Sequence, residues 1–255
     1  MTAQELLDEI FKTKTVTDEK GNKYKLHSNI DEAEGEFIKK IIKENRFIKT
    51  IEIGCAYGIS SLYICLALSH SKKSHHTIID PFQSTDWKNI GKLNLERAGI
   101  NFFEIIEKPS EIVLPQLLSK GERYDFAFID GWHTFDHTLV DFFYLNKLIK
   151  VGGVIVIDDV GFKSINKLMR YILNYPSYKL IGNVEEKVST RRKLFDFLIK
   201  SPFRIISKLF PERIKYELFA SKVVKSDKIL KLNSSMIAIK KIREDERTWS
   251  WFKDF

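Results

Sequence analysis

The chain has 255 residues, 44% of them hydrophobic and 13% aromatic, enough for one large domain or two small ones around a genuine core. Its two cysteines, Cys55 and Cys65, make no disulfide framework and suit a reducing compartment. The acidic start MTAQELLDEI lacks the apolar core of a signal peptide, and no run approaches a membrane span, so a soluble cytoplasmic protein is expected. The net charge of +8 is concentrated: residues 187–231 hold 13 Lys and Arg against 4 Asp and Glu. Any anionic partner should be sought there.

Residues 1–46 read as a helical segment with a turn at Gly21-Asn22 and a cap at Asn29 or Asp31 for a second helix. Short apolar runs then alternate with amphipathic ones. Strands are expected at residues 50–53, 76–80, 102–107, 124–130 and 153–158, and helices at 60–69, 89–98, 111–119, 134–149 and 164–173. Two further strands are expected at 178–183 and 235–242. This alternation with near-continuous apolar strands predicts an α/β fold, a parallel sheet covered by helices on both faces.

Ligands of open parallel sheets bind outside the carboxyl ends of the strands. Here those ends carry Glu52, Asp80, Asp130, Asp158 and Asp159. Carboxylates gathered at one rim are costly unless solvated, paired or liganded. The first strand runs into TIEIGCAYGIS, residues 50–60, with Gly54 and Gly58 in the turn and a helix beginning near Ser60. Glycines let a ligand approach the main chain, and the helix start offers free N–H groups to an anion. The spacing is neither a dinucleotide fingerprint nor a P-loop. Asp80 follows Gly54 by 26 residues, where an acid can accept from both hydroxyls of a ribose. A tight turn and a helix cap are the bland alternatives. Asp130, Asp158 and Asp159 together make a hard oxygen site for Mg²⁺ first, or Mn²⁺ or Ca²⁺.

These segments resemble class I S-adenosylmethionine-dependent methyltransferases over residues 31–180. The likeness is to the catechol and caffeoyl-CoA O-methyltransferase group and to related bacterial enzymes that methylate natural products and sugars. IEIGCAYGIS resembles the first motif of that family, IIDPF the second, PSEIVLPQLL the adenine-side motif, and FIDGWH with VIDDV the metal and base signature. The resemblance implies a Rossmann-like seven-stranded sheet with its last strand antiparallel. It implies that Glu52, Gly54, Gly58 and Ser60 hold the methionine end of the cofactor, Asp80 the ribose, and Ser110 and Glu111 the base. Asp130 would lie beneath the amino group and, with Asp158 and Asp159, bind a divalent cation. Asp159 stands where the group commonly has Asn, which adds a negative charge.

His133 stands where the resembled group places its catalytic lysine, and an imidazole suits proton abstraction near neutral pH. It could instead ligate metal or position substrate. His137, one helical turn on, reads as structural. Phe82, Gln83, Trp87 and Trp132 could line a pocket or only fill loops. The expected domains are 1–46, helical; 47–184 with 233–245, the cofactor-binding domain; 185–232, a basic helical insert before the last strand; and 246–255, an aromatic tail. In the insert, Phe195, Leu198, Ile199, Ile205, Ile206 and Leu209 share one face, and Lys193, Lys200, Arg204 and Lys208 the other, with Pro202 breaking the run. It could be a lid or homodimer contact, lie on an anionic membrane surface, or bind a glycolipid. Nucleic acid is disfavoured, since no RNA-binding module accompanies it. The expected activity is O-methylation of a small molecule or sugar acceptor. A non-catalytic nucleoside-binding module and a membrane-recruited protein are the alternatives.

Overall fold

The elements assemble in a computed structural model that describes residues 1–186, 194 and 196–255. α1 (Ala3–Thr13) opens on a capping box in which Thr2 and Glu5 satisfy each other's backbone N–H. The N-terminal segment is not helical throughout. β1 (Thr15–Thr17) and β2 (Lys23–Lys25) form an antiparallel hairpin around the Gly21-Asn22 turn. Asp18 is the reason: its carboxylate accepts from Lys20 N, Asn22 N, Asn22 Nδ2 and the Tyr24 hydroxyl. That side chain gives the backbone an alternative to helix. Asp31, rather than Asn29, caps α2 (Glu32–Asn45), paired with Glu34 in a second capping box.

The body follows as β3 (Lys49–Ile53), α3 (Ile59–Leu68), β4 (His75–Ile79), α4 (Ile90–Arg97), β5 (Phe103–Ile106), α5 (Ser110–Ser119), β6 (Tyr124–Ile129), α6 (Phe135–Leu148), β7 (Ile149–Ile157), α7 (Lys163–Ile172) and β8 (Tyr178–Glu185). A π-helical turn (Asp196–Lys200) and the short helices α8 (Ser201–Ser207), α9 (Glu212–Leu218) and α10 (Ser221–Val224) precede β9 (Ser234–Lys241). The predicted division of the insert at Pro202 falls in the first turn of α8, where a missing N–H is harmless. The expected face residues Lys193 and Phe195 lie outside the described residues.

The seven-stranded sheet runs β5-β4-β3-β6-β7-β9-β8, parallel except for β9, which is antiparallel to both neighbours. Alternate side chains feed two separate cores. Phe126, Phe128, Val154 and Val156 pack with α1, α2 and α3, while Ala127, Ile129, Ile155 and Ile157 pack with α5, α6 and α7. Burial on both faces explains why the strands read as unbroken apolar runs. Truncating Phe128, which is fully buried, to alanine should cost about 3–5 kcal/mol.

The insert is tied to α7 by Arg170, which is 3% exposed, pairs with Asp227, and donates to Ser221 O and Lys225 O. The C-terminal tail lies on the end of the same helix and the turn after it: Phe255 meets Tyr171 at 5.1 Å and Trp251 meets Tyr175 at 5.7 Å between ring centroids. Among the described residues, no helix is long and apolar enough to cross a membrane.

Candidate active site

The strand ends form one continuous rim. Gly54 N donates to Ile79 O, Asp80 N to Ile106 O, Asp130 N to Ile53 O and Asp158 N to Ile129 O. Each ladder therefore runs one step past its strand and sets the next residue at the mouth of a cavity of about 860 Å³. Gly54, Asp80, Ser110, Glu111, Asp130, His133, Asp158 and Asp159 all line it. Glu52, Gly58 and Ser60 do not.

The glycine turn is built by close approach. Gly54 has φ 88°, and a Cβ on it would sit 2.0 Å from Asp130 O. Gly58, with φ 77°, starts α3 and passes so near Gly91 that a Cβ would meet its carbonyl at 2.9 Å. Neither position tolerates a side chain. Asp80, 3% exposed, holds the turn from below. Its Oδ2 accepts from Cys55 N and Ala56 N, both at 3.0 Å, and from Gln83 Nε2, and its Oδ1 accepts from Phe82 N.

Glu52 faces away from the cavity and is fully buried. Alternation directs Ile51 and Ile53 to the α5–α7 core and Glu52 to α3, where its Oε2 accepts from Ser61 Oγ and from His76 Nε2. His76 Nδ1 meets Thr50 Oγ1 at 2.9 Å. This buried chain braces the root of the turn. Gln83 is likewise buried, bonded to Ala56 O and Asp80, whereas Phe82, Trp87 and Trp132 line the cavity.

At the other end of the rim three ligand-type side chains converge. Atoms of Asp130, His133 and Asp159 all lie within 4.8 Å of one another. His133 Nδ1 is 3.2 Å from Asp159 Oδ2, and Nε2 is 3.8 Å from Asp130 Oδ1. Both His133 (φ 38°) and Asp159 (φ 54°) adopt left-handed backbone, uncommon without glycine. Ser164 Oγ donates to His133 O at 2.7 Å and Phe162 stacks edge-on to the imidazole at 5.6 Å, so the strained loop is held. Asp158 lines the same cavity but stands outside that convergent group. His137, on α6, hydrogen-bonds to its helix cap Thr134.

Burial and then the neighbouring Asp158 and Asp159 push the Asp130 carboxyl well above the usual carboxylate range. Burial, then Glu34 and Asp159, pushes Asp158 up to about 8. Among the described residues, no Lys or Arg lines the cavity to offset them. Such a set of carboxylates with one imidazole fits a hard divalent cation, whose charge would relieve the repulsion.

Sequence reading overlooked two buried acids here. Glu34, the partner in the α2 capping box, lines the cavity, and burial raises its pKa. Asp141, on α6 and 2% exposed, also lines it with Oδ1 unpartnered among the described residues; burial pushes it up to about 6. The signal for Glu34 was its spacing from Asp31; for Asp141, mid-helix, there was none.

Residues 51–160 match the family model described as methyltransferase domain. A probable caffeoyl-CoA O-methyltransferase 1 of Dictyostelium discoideum is 33% identical over 129 residues, 49% of this chain and 53% of that protein. Caffeoyl-CoA O-methyltransferase 2 of Petunia hybrida is 32% identical over 134 residues, 49% of this chain and 51% of that protein. The chain thus spans about half the length of the curated relatives it matches. Among solved structures, an O-methyltransferase from Bacillus cereus in complex with SAH aligns at TM-score 0.56 and 20% identity, covering 70% of this chain and 81% of that one. The O-methyltransferase TomG from Streptomyces achromogenes, in complex with SAM, aligns at TM-score 0.54 and 18% identity, covering 71% and 82%. These likenesses show a shared Rossmann-like methyltransferase fold.

Proposed function

We propose that this chain, which carries a methyltransferase domain over residues 51–160, transfers a methyl group from S-adenosylmethionine to a hydroxyl of a small molecule or sugar. The observation that carries the reading is the single cavity joining the braced glycine turn to the Asp130, His133 and Asp159 cluster. Residues 54–56, with Asp80, Ser110 and Glu111, would cradle the cofactor, which supplies the methyl group when bound. The carboxylates of Asp130 and Asp159, together with Asp158, would hold a divalent cation, Mg²⁺ first, which supplies Lewis acidity toward an acceptor hydroxyl.

His133 is the base of this proposal. With Nδ1 3.2 Å from Asp159 Oδ2, that carboxylate would accept from Nδ1–H and leave Nε2 with a free lone pair on the Asp130 side. A carboxylate that fixes tautomer and ring orientation in this way also stabilises the imidazolium that forms when the hydroxyl proton arrives. Phe82, Trp132 and Phe162 would supply the apolar walls of the acceptor end, and positioning two bound reactants supplies much of the rate.

The test is calorimetric titration of EDTA-treated protein with S-adenosylhomocysteine, for wild type and Asp80→Asn. The substitution turns an acceptor toward Cys55 N and Ala56 N into a donor, and affinity should fall about ten- to a hundredfold. Absence of binding to the wild type, with or without Mg²⁺, would overturn the methyltransferase reading. Binding without turnover over a broad hydroxyl panel would favour a non-catalytic nucleoside-binding module.

A further inference from the structure

Within the insert, α8 turns its polar edge toward α10 and its apolar edge outward. Ser207, on α8, is 2% exposed, and Arg204 Nε donates to Val223 O at 3.2 Å. On the other side of the same helical run, Leu198, Ile205 and Leu209 are 57, 67 and 82% exposed. A surface helix of a soluble domain ordinarily does the reverse, burying its apolar stripe and wetting its polar one. An exposed contiguous apolar stripe marks a surface that something covers.

Topology roots both ends of the insert at the rim of the site. β7 and β8 are each antiparallel to β9 and therefore point the same way. The insert leaves β8 at Glu185 and rejoins β9 at Ser234, next to Val160, whose N donates to Ser235 O. That is the rim that carries Asp130 and Asp158. The same rim shows Trp132, 61% exposed, and Phe162, 52% exposed.

Charge selects the occupant. Residues 187–231 carry 13 Lys and Arg against 4 Asp and Glu, and Lys208, Lys225 and Lys228 are exposed. A second copy of this chain would bring the same positive face against itself, because a two-fold interface is self-matching. An anionic bilayer offers both complements at once, acyl chains for the stripe and head groups for the cations. We propose that the insert, from the π turn through α10, is an interfacial docking surface that seats the catalytic rim on an anionic membrane.

The test is flotation of the full chain with vesicles of phosphatidylcholine alone or mixed with phosphatidylglycerol, read without cofactor so that it stands apart from the methyltransferase reading. The wild type should float with the mixed vesicles at low salt, be released by high salt, and ignore phosphatidylcholine alone. Ile205→Glu with Leu209→Glu should abolish flotation. Lys208→Ala with Lys228→Ala should lower partitioning about twenty-fivefold, roughly fivefold per lysine. All four residues are exposed, and S-adenosylhomocysteine affinity serves as the folding control for each pair. Failure of the wild type to float, or flotation of both pairs at the wild-type level, would overturn the proposal. So would a wild-type dimer in sedimentation that Ile205→Glu with Leu209→Glu converts to monomer, since the stripe would then belong to a second copy.

Discussion

The two ends of the rim use the same residue type in opposite ways. At the β3–β4 end, Asp80 is enclosed by donors: three backbone N–H groups and the Gln83 amide. At the β6–β7 end, Asp130, Asp158 and Asp159 face one another with no Lys or Arg among the described lining residues, and two of them are pushed toward the protonated form. A carboxylate ringed by N–H groups is fixed in place and holds its turn in shape for a ligand. Carboxylates that repel one another keep an interaction open for a ligand. Buried polar groups are costly unless paired, so the second end is the part of the fold that gains most from binding.

The sharpest way to break this division is Gly54→Ala, because Gly54 joins the two ends. Its new Cβ would sit 2.0 Å from Asp130 O, at a φ of 88° that alanine resists. Backbone must shift on both sides, and a loss of several kcal/mol is expected. Chemical denaturation should show a much lower midpoint, with S-adenosylhomocysteine binding and any metal response lost together. A variant that kept either one would show that the two ends are independent.

Next in size is His133→Gln, which should lower turnover by about 10²–10⁴, the usual contribution of a general base. Affinity for S-adenosylhomocysteine should stay at the wild-type level, because the imidazole belongs to the other end. The variant also separates base from ligand. If His133 only takes a proton, Mg²⁺ affinity measured by calorimetry persists; if it ligates, Mg²⁺ affinity falls with turnover.

Adding Mg²⁺ should itself stabilise the protein. A cation bound only by the native state at a hundredfold excess over its dissociation constant contributes about 3 kcal/mol. The melting temperature should rise with Mg²⁺ in the wild type and far less in Asp159→Asn. In Asp80→Asn the rise should persist, since the β3–β4 end takes no part in it.

How much of this was legible depended on where a residue sits in its element. Asp80, Asp130 and Asp158 could be read because apolar strands end on them, and strand ends of a parallel sheet share one rim. The Gly54 turn was legible because glycine there serves a backbone need. Glu52 was placed wrongly with respect to the cavity: being one residue inside the strand, it follows the alternation to the α3 side. The hairpin at residues 15–25 was hidden because its strands are three residues each, too short for a period, and because Asp18 acts through side-chain hydrogen bonds. Glu34 and Asp141 lie within helices, where an acid ordinarily means a wetted face. Only tertiary packing turns them inward.

Asp141 gives the finest test of the contrast, because it combines both ends: buried like Asp80 but, like Asp130, pushed toward the protonated form. Burial pushes it up to about 6 against the opposing effect of a hydrogen bond from Ser110, and Oδ1 is unpartnered among the described residues. The sign follows from linkage. An aspartate whose folded pKa lies above its unfolded value near ~3.9 binds its proton more readily in the folded state. Its contribution to stability is therefore present at low pH and lost as pH rises through about 6. Asp141→Asn keeps the shape and removes the charge. The variant should match the wild type near pH 4 and exceed it by on the order of 2 kcal/mol near pH 7.5, a rise of a few degrees in melting temperature. An equal difference at both pH values would mean that the substitution acts by packing alone. A less stable variant at neutral pH would mean that the hydrogen bond from Ser110 outweighs burial and that Asp141 belongs with Asp80, among the satisfied acids.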